Sequence, residues 1–190
     1  MRYTLLLIIA CLVQLPADNL VKNGSFDRGL SSWTLGSGEW ALSELTDSVG
    51  AAKVLNPRYS GRLMGVAEDI FGIWQCVKID RSQQYELRFR SRMSEDFAKL
   101  GYGAAELTWF SNSNCSIHPK QPAGGIIGIP VRVKLTVSNG EWHEHTLASG
   151  GLPQEAQSVE IMLESVATDF ENKRPIEVSF DDVVFKAISK

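Results

Sequence analysis

The sequence NLVKNGSFDRGLSSW (residues 19–33) decides the fold, together with VSFDDVVF (residues 178–185) near the other end of the chain. Asn23 and Gly24 form a dipeptide typical of tight turns, because both residue types tolerate positive φ, and apolar residues flank the pair on each side. We therefore expect the first strand to turn almost at once and to lie beside the last strand.

The last segment predicts an unusual carboxylate. Val178, Phe180, Asp182 and Val184 alternate along it, and a period of two places all four on one face of a strand. Asp182 would then lie in line with core side chains. A buried carboxylate must be hydrogen-bonded, ion-paired or bound to a metal, so the pattern predicts such a partner for Asp182.

The same period of two recurs along the chain, and no stretch keeps a helical period. Apolar and polar residues alternate in residues 73–79, 85–90, 105–110, 131–138 and 159–164. Half-buried antiparallel strands of this kind predict an all-β fold of two packed sheets, a β-sandwich. The long segment 111–130 lacks the alternation, and it is either a wall of a binding site or a disordered excursion.

Composition limits the domain count and the classes of partner. The chain has 190 residues, of which 44% are hydrophobic, which suits one domain with a substantial core. Its net charge of −3 gives no electrostatic attraction to phosphate backbones, so we expect no nucleic-acid partner.

The first 17 residues indicate export. They combine a basic residue, a short apolar run and a small residue at the end, which is typical of a secretory signal peptide cleaved after Ala17. The run is too short to cross a bilayer, so we expect no transmembrane segment. Residues 18–190 would then form one secreted or periplasmic domain. The alternative is a lipoprotein signal, in which Cys11 becomes a lipid anchor.

Both end segments resemble carbohydrate-binding modules of the galactose-binding-like jelly-roll type, which are appended to xylanases and cellulases. The first segment is similar to the opening of these modules, and SFDDVVF (residues 179–185) is similar to their closing strand. Residues 72–93 and 141–163 are similar to their middle. The resemblance implies a jelly-roll β-sandwich that binds a glycan or polysaccharide without catalysing a reaction.

Cys76 and Cys115 remain once residues 1–17 are removed, and two cysteines in an exported protein are more often paired than free. The resemblance implies the same disulfide, because the family often shows QCV on one strand and NCS after a later one. These motifs match residues 75–77 and 114–116. The alternative is a pair of buried thiols.

A structural calcium ion is also implied by the resemblance, at the junction of the two end segments. Calcium prefers six to eight oxygen ligands. Asp27 and Asp182, with Asp181 and main-chain oxygens, would supply part of such a shell. The alternative is that Asp27 caps a turn while Asp181 and Asp182 are partly solvated.

A glycan-binding face needs aromatic rings for sugar CH groups and planar polar groups for hydroxyls. If the strands concerned are neighbours in one sheet, their outward positions bring together Trp74, Arg88, Arg90, Glu106 and Phe110. Trp40 and Tyr59 would line the rim. Gln75 is either a hydrogen-bonded core amide or a polar group that reaches the cleft. The alternative for the charged residues is a set of solvated cross-strand pairs.

The remaining candidate residues have structural interpretations. We expect core or packing positions for Trp33, Trp109 and Trp142. His143 and His145 point the same way on a strand, as a metal site requires, but no third ligand is evident and exposed histidines are the alternative.

The expected function is binding rather than catalysis. The sequence has no nucleophile elbow, zinc-protease helix motif or phosphate loop, so we expect no enzyme, with a glycosidase built on two unrecognised carboxylates as the exception. The alternative function is a structural or adhesion protein of the envelope or extracellular matrix that uses the same fold to contact a protein partner.

Overall fold

A computed structural model describes residues 18–35, 39–42, 51–56, 69–117, 125–136, 138–168 and 176–188. These residues form ten strands and one single-turn helix. In chain order they are β1 (Thr34–Leu35), β2 (Glu39–Leu42), β3 (Ala52–Asn56), β4 (Asp69–Lys78), β5 (Gln84–Arg92), α1 (Glu95–Ala98), β6 (Gly101–Phe110), β7 (Ile126–Lys134), β8 (His143–Ala148), β9 (Ser158–Ala167) and β10 (Ile176–Ile188).

The strands form two antiparallel five-stranded sheets. Sheet A has the order β1-β4-β9-β6-β7, and sheet B has the order β2-β3-β10-β5-β8. Strands that are consecutive in the chain, such as β4 and β5, therefore often lie in opposite sheets. The predicted all-β jelly-roll sandwich is confirmed. Within the described part of the chain, no helix is long and apolar enough to cross a membrane.

The core lies between the two sheets and follows the period of two. On β5, Leu87 and Phe89 are buried, while on β9 the buried side chains include Ile161 and Leu163. Trp109 of β6 is 1% exposed and belongs to the same core. Burying each of these large apolar side chains contributes about 1.5–3 kcal/mol. The alternation therefore fixes which side of each strand faces outward.

Strand β10 departs from the predicted alternation. Its register with β5 shifts between Asp181 and Val184, and Asp182 has a φ of 50°. The extra residue reverses the inward and outward positions that follow. Val183 is 1% exposed and continues the buried face, whereas the side chain of Asp182 is 55% exposed. The prediction that Asp182 shares a face with the core was wrong.

The N-terminal segment meets the last strand, as expected. Leu20 N donates to Phe185 O at 2.8 Å, and Val183 N donates to Gly24 O at 2.9 Å. Residues 21–32 form bends and turns rather than a strand, and Asn23 has a φ of 54°. A Cβ atom on Gly24 would lie 2.0 Å from Val183 O, so this close backbone approach requires glycine.

Candidate functional site

The outer face of sheet A carries a row of aromatic, apolar and charged side chains. Trp74 of β4 lies opposite Met162 of β9, which lies opposite Glu106 of β6, which in turn lies opposite Arg132 of β7. Directly opposed residues of an antiparallel sheet point to the same side. Because Ile73 and Val77 face the core, Trp74 faces away from it. We call this surface the sheet A face.

A second row, next to the first, has small residues on both sides of a carboxylate. Glu164 of β9 lies between Gly72 of β4 and Ala104 of β6, and neither of these residues has a long side chain. A Cβ atom on Gly72 would lie 2.9 Å from the backbone oxygen of Leu163 and 3.1 Å from Met162 Cγ. Glycine therefore lets β4 approach β9 closely at this position.

Two carboxylates hold the guanidinium of Arg132 in place. Its Nη2 donates to Glu164 Oε2, and its Nε lies 3.7 Å from Glu106 Oε2. Burial disfavours the charge of Arg132, but Glu164, Tyr102 and Glu106 outweigh that cost, and the pKa of Arg132 is raised. Glu164 is only 2% exposed, so this ion pair is part of a preformed, partly desolvated surface.

An aromatic ring lies beside this ion pair. The ring of Tyr102 on β6 has Arg132 Cζ at 5.7 Å from its centroid and Lys134 Nζ at 3.9 Å. Both separations are within the range of cation–π attraction. Tyr102 packs with Ala104 and Val166 in a small apolar cluster separate from the main core. These contacts fix the positions of the two basic side chains of β7.

Glu160 extends the sheet A face on the other side of Trp74. It lies opposite Cys76 of β4 and Thr108 of β6. Its carboxylate is half-buried, and burial together with the charge of Glu106 raises its pKa. Thr108 Oγ1 donates to Glu106 Oε1 at 2.8 Å rather than to Glu160. Among the residues that the structure describes, none forms a side-chain hydrogen bond or ion pair with Glu160.

The disulfide between Cys76 and Cys115 is confirmed, with an S–S distance of 2.05 Å. It joins β4 to residues 111–117, which we call the tethered segment. Ser158 Oγ donates to Asn112 O at 2.6 Å, and Asn112 Nδ2 donates to Ser116 O at 2.8 Å, so the segment is closed on itself and bonded to β9. Since Cys76 and Ser158 belong to the sheet A face, the tethered segment forms a wall at this end.

The five residues predicted to share one ligand surface are divided between the two sheets. Trp74 and Glu106 lie on the sheet A face. Phe110 belongs to the same face but is only 2% exposed, so its ring is covered. Arg88 and Arg90 lie on β5 in sheet B, on the opposite side of the sandwich. The prediction of one surface for all five was wrong, because consecutive strands enter different sheets.

The other predicted ligand residues are placed as follows. Gln75 is 7% exposed, accepts from Lys22 N at 2.7 Å and donates to Ser32 O at 3.0 Å. Gln75 is therefore a hydrogen-bonded core amide, which is the first of the two interpretations given above. Trp40 lies on β2 opposite Val54, and its side chain is outside the described part of the structure. Tyr59 lies outside the described residues.

The tryptophans predicted to be structural have packing roles. Trp33 is 7% exposed, packs with its ring tilted against that of Phe26 at 5.4 Å between centroids, and donates from Nε1 to Asn23 O at 3.2 Å. Trp109 is part of the core. Trp142 lies under the guanidinium of Arg90, with 5.3 Å between Arg90 Cζ and the ring centroid.

The two histidines of β8 use their rings on separate partners. His143 Nε2 lies 2.7 Å from Asn139 Oδ1, and His145 Nε2 lies 2.8 Å from Ser91 Oγ. The His145 ring also stacks on Phe89 at 5.0 Å. Burial, and then the charge of His143, lowers the pKa of His145. Across the described ranges, no three His, Cys, Asp or Glu side chains are grouped closely enough to hold a metal ion.

Two of the three carboxylates predicted to bind calcium, Asp181 and Asp182, contact the guanidinium of Arg90. Asp27 and Asp182 line the same open cleft of about 480 Å³ between the N-terminal turn and β10. Arg90 Nη2 donates to Asp181 Oδ2 at 3.0 Å, and Arg90 Nε lies 2.8 Å from Asp182 Oδ2. Asp27 Oδ2 accepts from Ser25 Oγ at 2.7 Å. A metal on Asp181 and Asp182 would share these carboxylates with Arg90, and calcium binding stays a prediction.

Comparison with known proteins identifies the class of fold. No protein-family profile matches the sequence, and no curated protein matches it. Solved structures do match: the chain has the β-sandwich fold of carbohydrate-binding modules, as its sequence resemblance implied.

Three solved structures illustrate the match. The CBM22-1 xylan-binding domain of Xyn10C from Paenibacillus barcinonensis is 12% identical, with a TM-score of 0.59 over 92% of this chain and 97% of that chain. A family 61 module in complex with β-1,4-galactotriose is 14% identical, with a TM-score of 0.55 over 90% and 100%. A family 16 module is 14% identical, with a TM-score of 0.56 over 88% and 99%. At these identities the likeness establishes the fold.

Proposed function

We propose that this protein is an exported, non-catalytic glycan-binding protein, and that the sheet A face is its binding surface. The observation that carries the proposal is the row of Trp74, Met162, Glu106 and Arg132 across four adjacent strands. It joins an aromatic ring to planar polar groups on one outer face of the sandwich.

The chemistry of this row suits a sugar chain. The face of an aromatic ring packs against the CH groups of a pyranose, while carboxylate and guanidinium groups bond to its hydroxyls. Arg132 is already held by Glu106 and Glu164, so little side-chain freedom would be lost on binding. Affinity would be limited mainly by the cost of removing water from the sugar hydroxyls.

Export and the absence of catalysis are part of the same proposal. The Cys76–Cys115 disulfide supports an oxidising compartment, in agreement with the signal-like sequence of residues 1–17. The solved structures that share the fold include a xylan-binding domain and a galactotriose-bound module, which supports a binding role. One fold hosts many functions, so the test has to be binding itself.

The test is binding of the purified protein to a polysaccharide and oligosaccharide panel that includes xylan and β-1,4-galactan. We expect Trp74→Ala to weaken binding about tenfold or more, because the sugar would lose the aromatic ring on which it stacks. Arg88→Ala is the matched control, since Arg88 is 58% exposed on sheet B. Binding to no glycan, together with capture of a specific protein, would instead favour the structural or adhesion role.

A further inference from the structure

We propose that Glu160 makes the sheet A face selective for uncharged glycans and against glycans that carry carboxylate or sulfate groups. This inference rests on the proposed function, because it concerns the ligand of the same surface. Glu160 is opposite Cys76, two residues along β4 from Trp74 on the same face. Such positions are about 7 Å apart, so a sugar ring stacked on Trp74 lies beside the Glu160 carboxylate.

A second negative charge lies close to Glu160. Glu106, on the neighbouring strand, has the same charge, and it takes the hydrogen bond from Thr108. Burial, and then the charge of Glu106, raises the pKa of Glu160, as expected for a half-buried carboxylate beside a like charge. The Glu160 carboxylate can accept a hydrogen bond from a sugar hydroxyl. The carboxylate of an anionic sugar would instead be repelled by the like charge of Glu160.

Among the described residues, no cation of the sheet A face forms an ion pair with Glu160. Arg132 is shared between Glu106 and Glu164, and Lys134 lies over the ring of Tyr102, toward the β7 edge. Lys78 is exposed at the end of β4, two residues beyond Cys76 on the same face, and it is the cation next to Glu160 that no described residue holds in an ion pair. An anionic sugar at Trp74 would therefore find an unpaired carboxylate close by, and on the described part of the sheet A face the guanidinium of Arg132 is already held by two carboxylates. Specificity of this kind comes from repulsion of the wrong ligand.

The tethered segment keeps the ligand near Glu160. Its disulfide starts from Cys76, directly across from Glu160, and Ser158 on the next outward position of β9 is fully buried beneath the segment. A sugar on Trp74 consequently cannot move toward this end to avoid the carboxylate. The tethered segment and the charge of Glu160 therefore act on the same part of the sheet A face.

Calorimetry with matched ligands tests the inference. The neutral probes are xylohexaose, cellohexaose and β-1,4-galactotriose, and each is compared with a uronate-carrying oligosaccharide of the same length. We expect the wild-type protein to bind the tightest neutral probe at least about tenfold more tightly than its uronate counterpart at low salt. High salt should narrow this ratio, because ions screen the repulsion between exposed charges.

Glu160→Gln removes the charge and keeps the shape of the side chain. We expect it to reduce the neutral-to-uronate ratio to about threefold or less, whereas Glu144→Gln, an exposed change on sheet B, should leave the ratio unchanged. A uronate bound as tightly as its neutral counterpart, or a wild-type ratio insensitive to salt, would overturn this inference alone. Failure of every glycan to bind would overturn the proposed function as well.

Discussion

A side chain at Gly24 has no room, because a Cβ atom there would lie 2.0 Å from the backbone oxygen of Val183. Backbone atoms cannot move aside as a flexible side chain can, so the N-terminal turn would have to separate from β10. We expect Gly24→Ala to lower the free energy of unfolding by about 1–3 kcal/mol in urea denaturation. Gly151→Ala is the control, since no atom lies within 4 Å of its added Cβ. Equal effects of the two changes would contradict this account of the junction.

Glu160 predicts a dependence of stability on pH. Its pKa in the folded protein is raised, so the unfolded chain releases this proton first as pH increases. Stability from this group is therefore lost as pH rises from the ordinary glutamate value of about 4.3 through the folded value. We expect Glu160→Gln to increase the urea midpoint at pH 7 but not at pH 3.5. A decrease at pH 7 would instead reveal a favourable partner for the carboxylate.

At the level of single residues, the sequence predicted the outward positions of the strands and little of their surroundings. Alternation places Trp74 and Glu106 outward, and the structure agrees. The same alternation on β9 sets Glu160, Met162 and Glu164 on one side, which was the available signal for the rest of the site. The alternation contains no information on which strands lie beside β9, so the whole site could not be predicted from the sequence.

At the level of elements, strand pairing explains why the predicted ligand residues do not share one surface. Strands β4 and β5 follow each other in the chain, yet they belong to sheets A and B respectively. The jelly-roll order therefore separates Arg88 from Trp74, although both face outward. Local sequence fixes the period of a strand, whereas its neighbours depend on contacts between distant segments.

The bulge in β10 shows a second limit of what sequence alternation can predict. One extra residue between Asp181 and Val184 exchanges the inward and outward positions, and aspartate is among the residue types that adopt positive φ most readily. Nothing in the alternation of VSFDDVVF marks the exchange. The consequence is that Asp182 faces outward, 2.8 Å from Arg90 Nε, and does not lie among core side chains.

The disulfide is the element that joins the fold to the proposed site. Cys76 and Cys115 are separated by 39 residues, so the bond stabilises the protein by at most about 4 kcal/mol in the chain-entropy model. We expect the Cys76→Ser, Cys115→Ser double variant to unfold at lower urea concentration and, while still folded, to bind glycan more weakly. Wild-type protein whose disulfide has been reduced should show the same two changes. Unchanged binding by the folded variant would show that the tethered segment is not a wall of the site.

For the molecule as a whole, calcium would act at the junction of the two chain ends. Arg90 already pairs with Asp181 and Asp182, so calcium would have to compete with a guanidinium. We expect millimolar calcium to raise the melting temperature of the wild type modestly, and to raise that of Arg90→Gln by more. A chelator should reverse both increases. If neither protein responds to calcium or chelator, the predicted site does not exist.

The central claim is that the sheet A face, rather than another surface of the sandwich, binds a glycan. A crystal structure with the tightest oligosaccharide of the panel tests it most directly. We expect a sugar ring stacked on Trp74, with hydroxyls bonded to Glu106, Arg132 or Glu160. A sugar bound instead on the outer face of sheet B near Arg88, or in the cleft beside Asp27 and Asp182, would contradict the account.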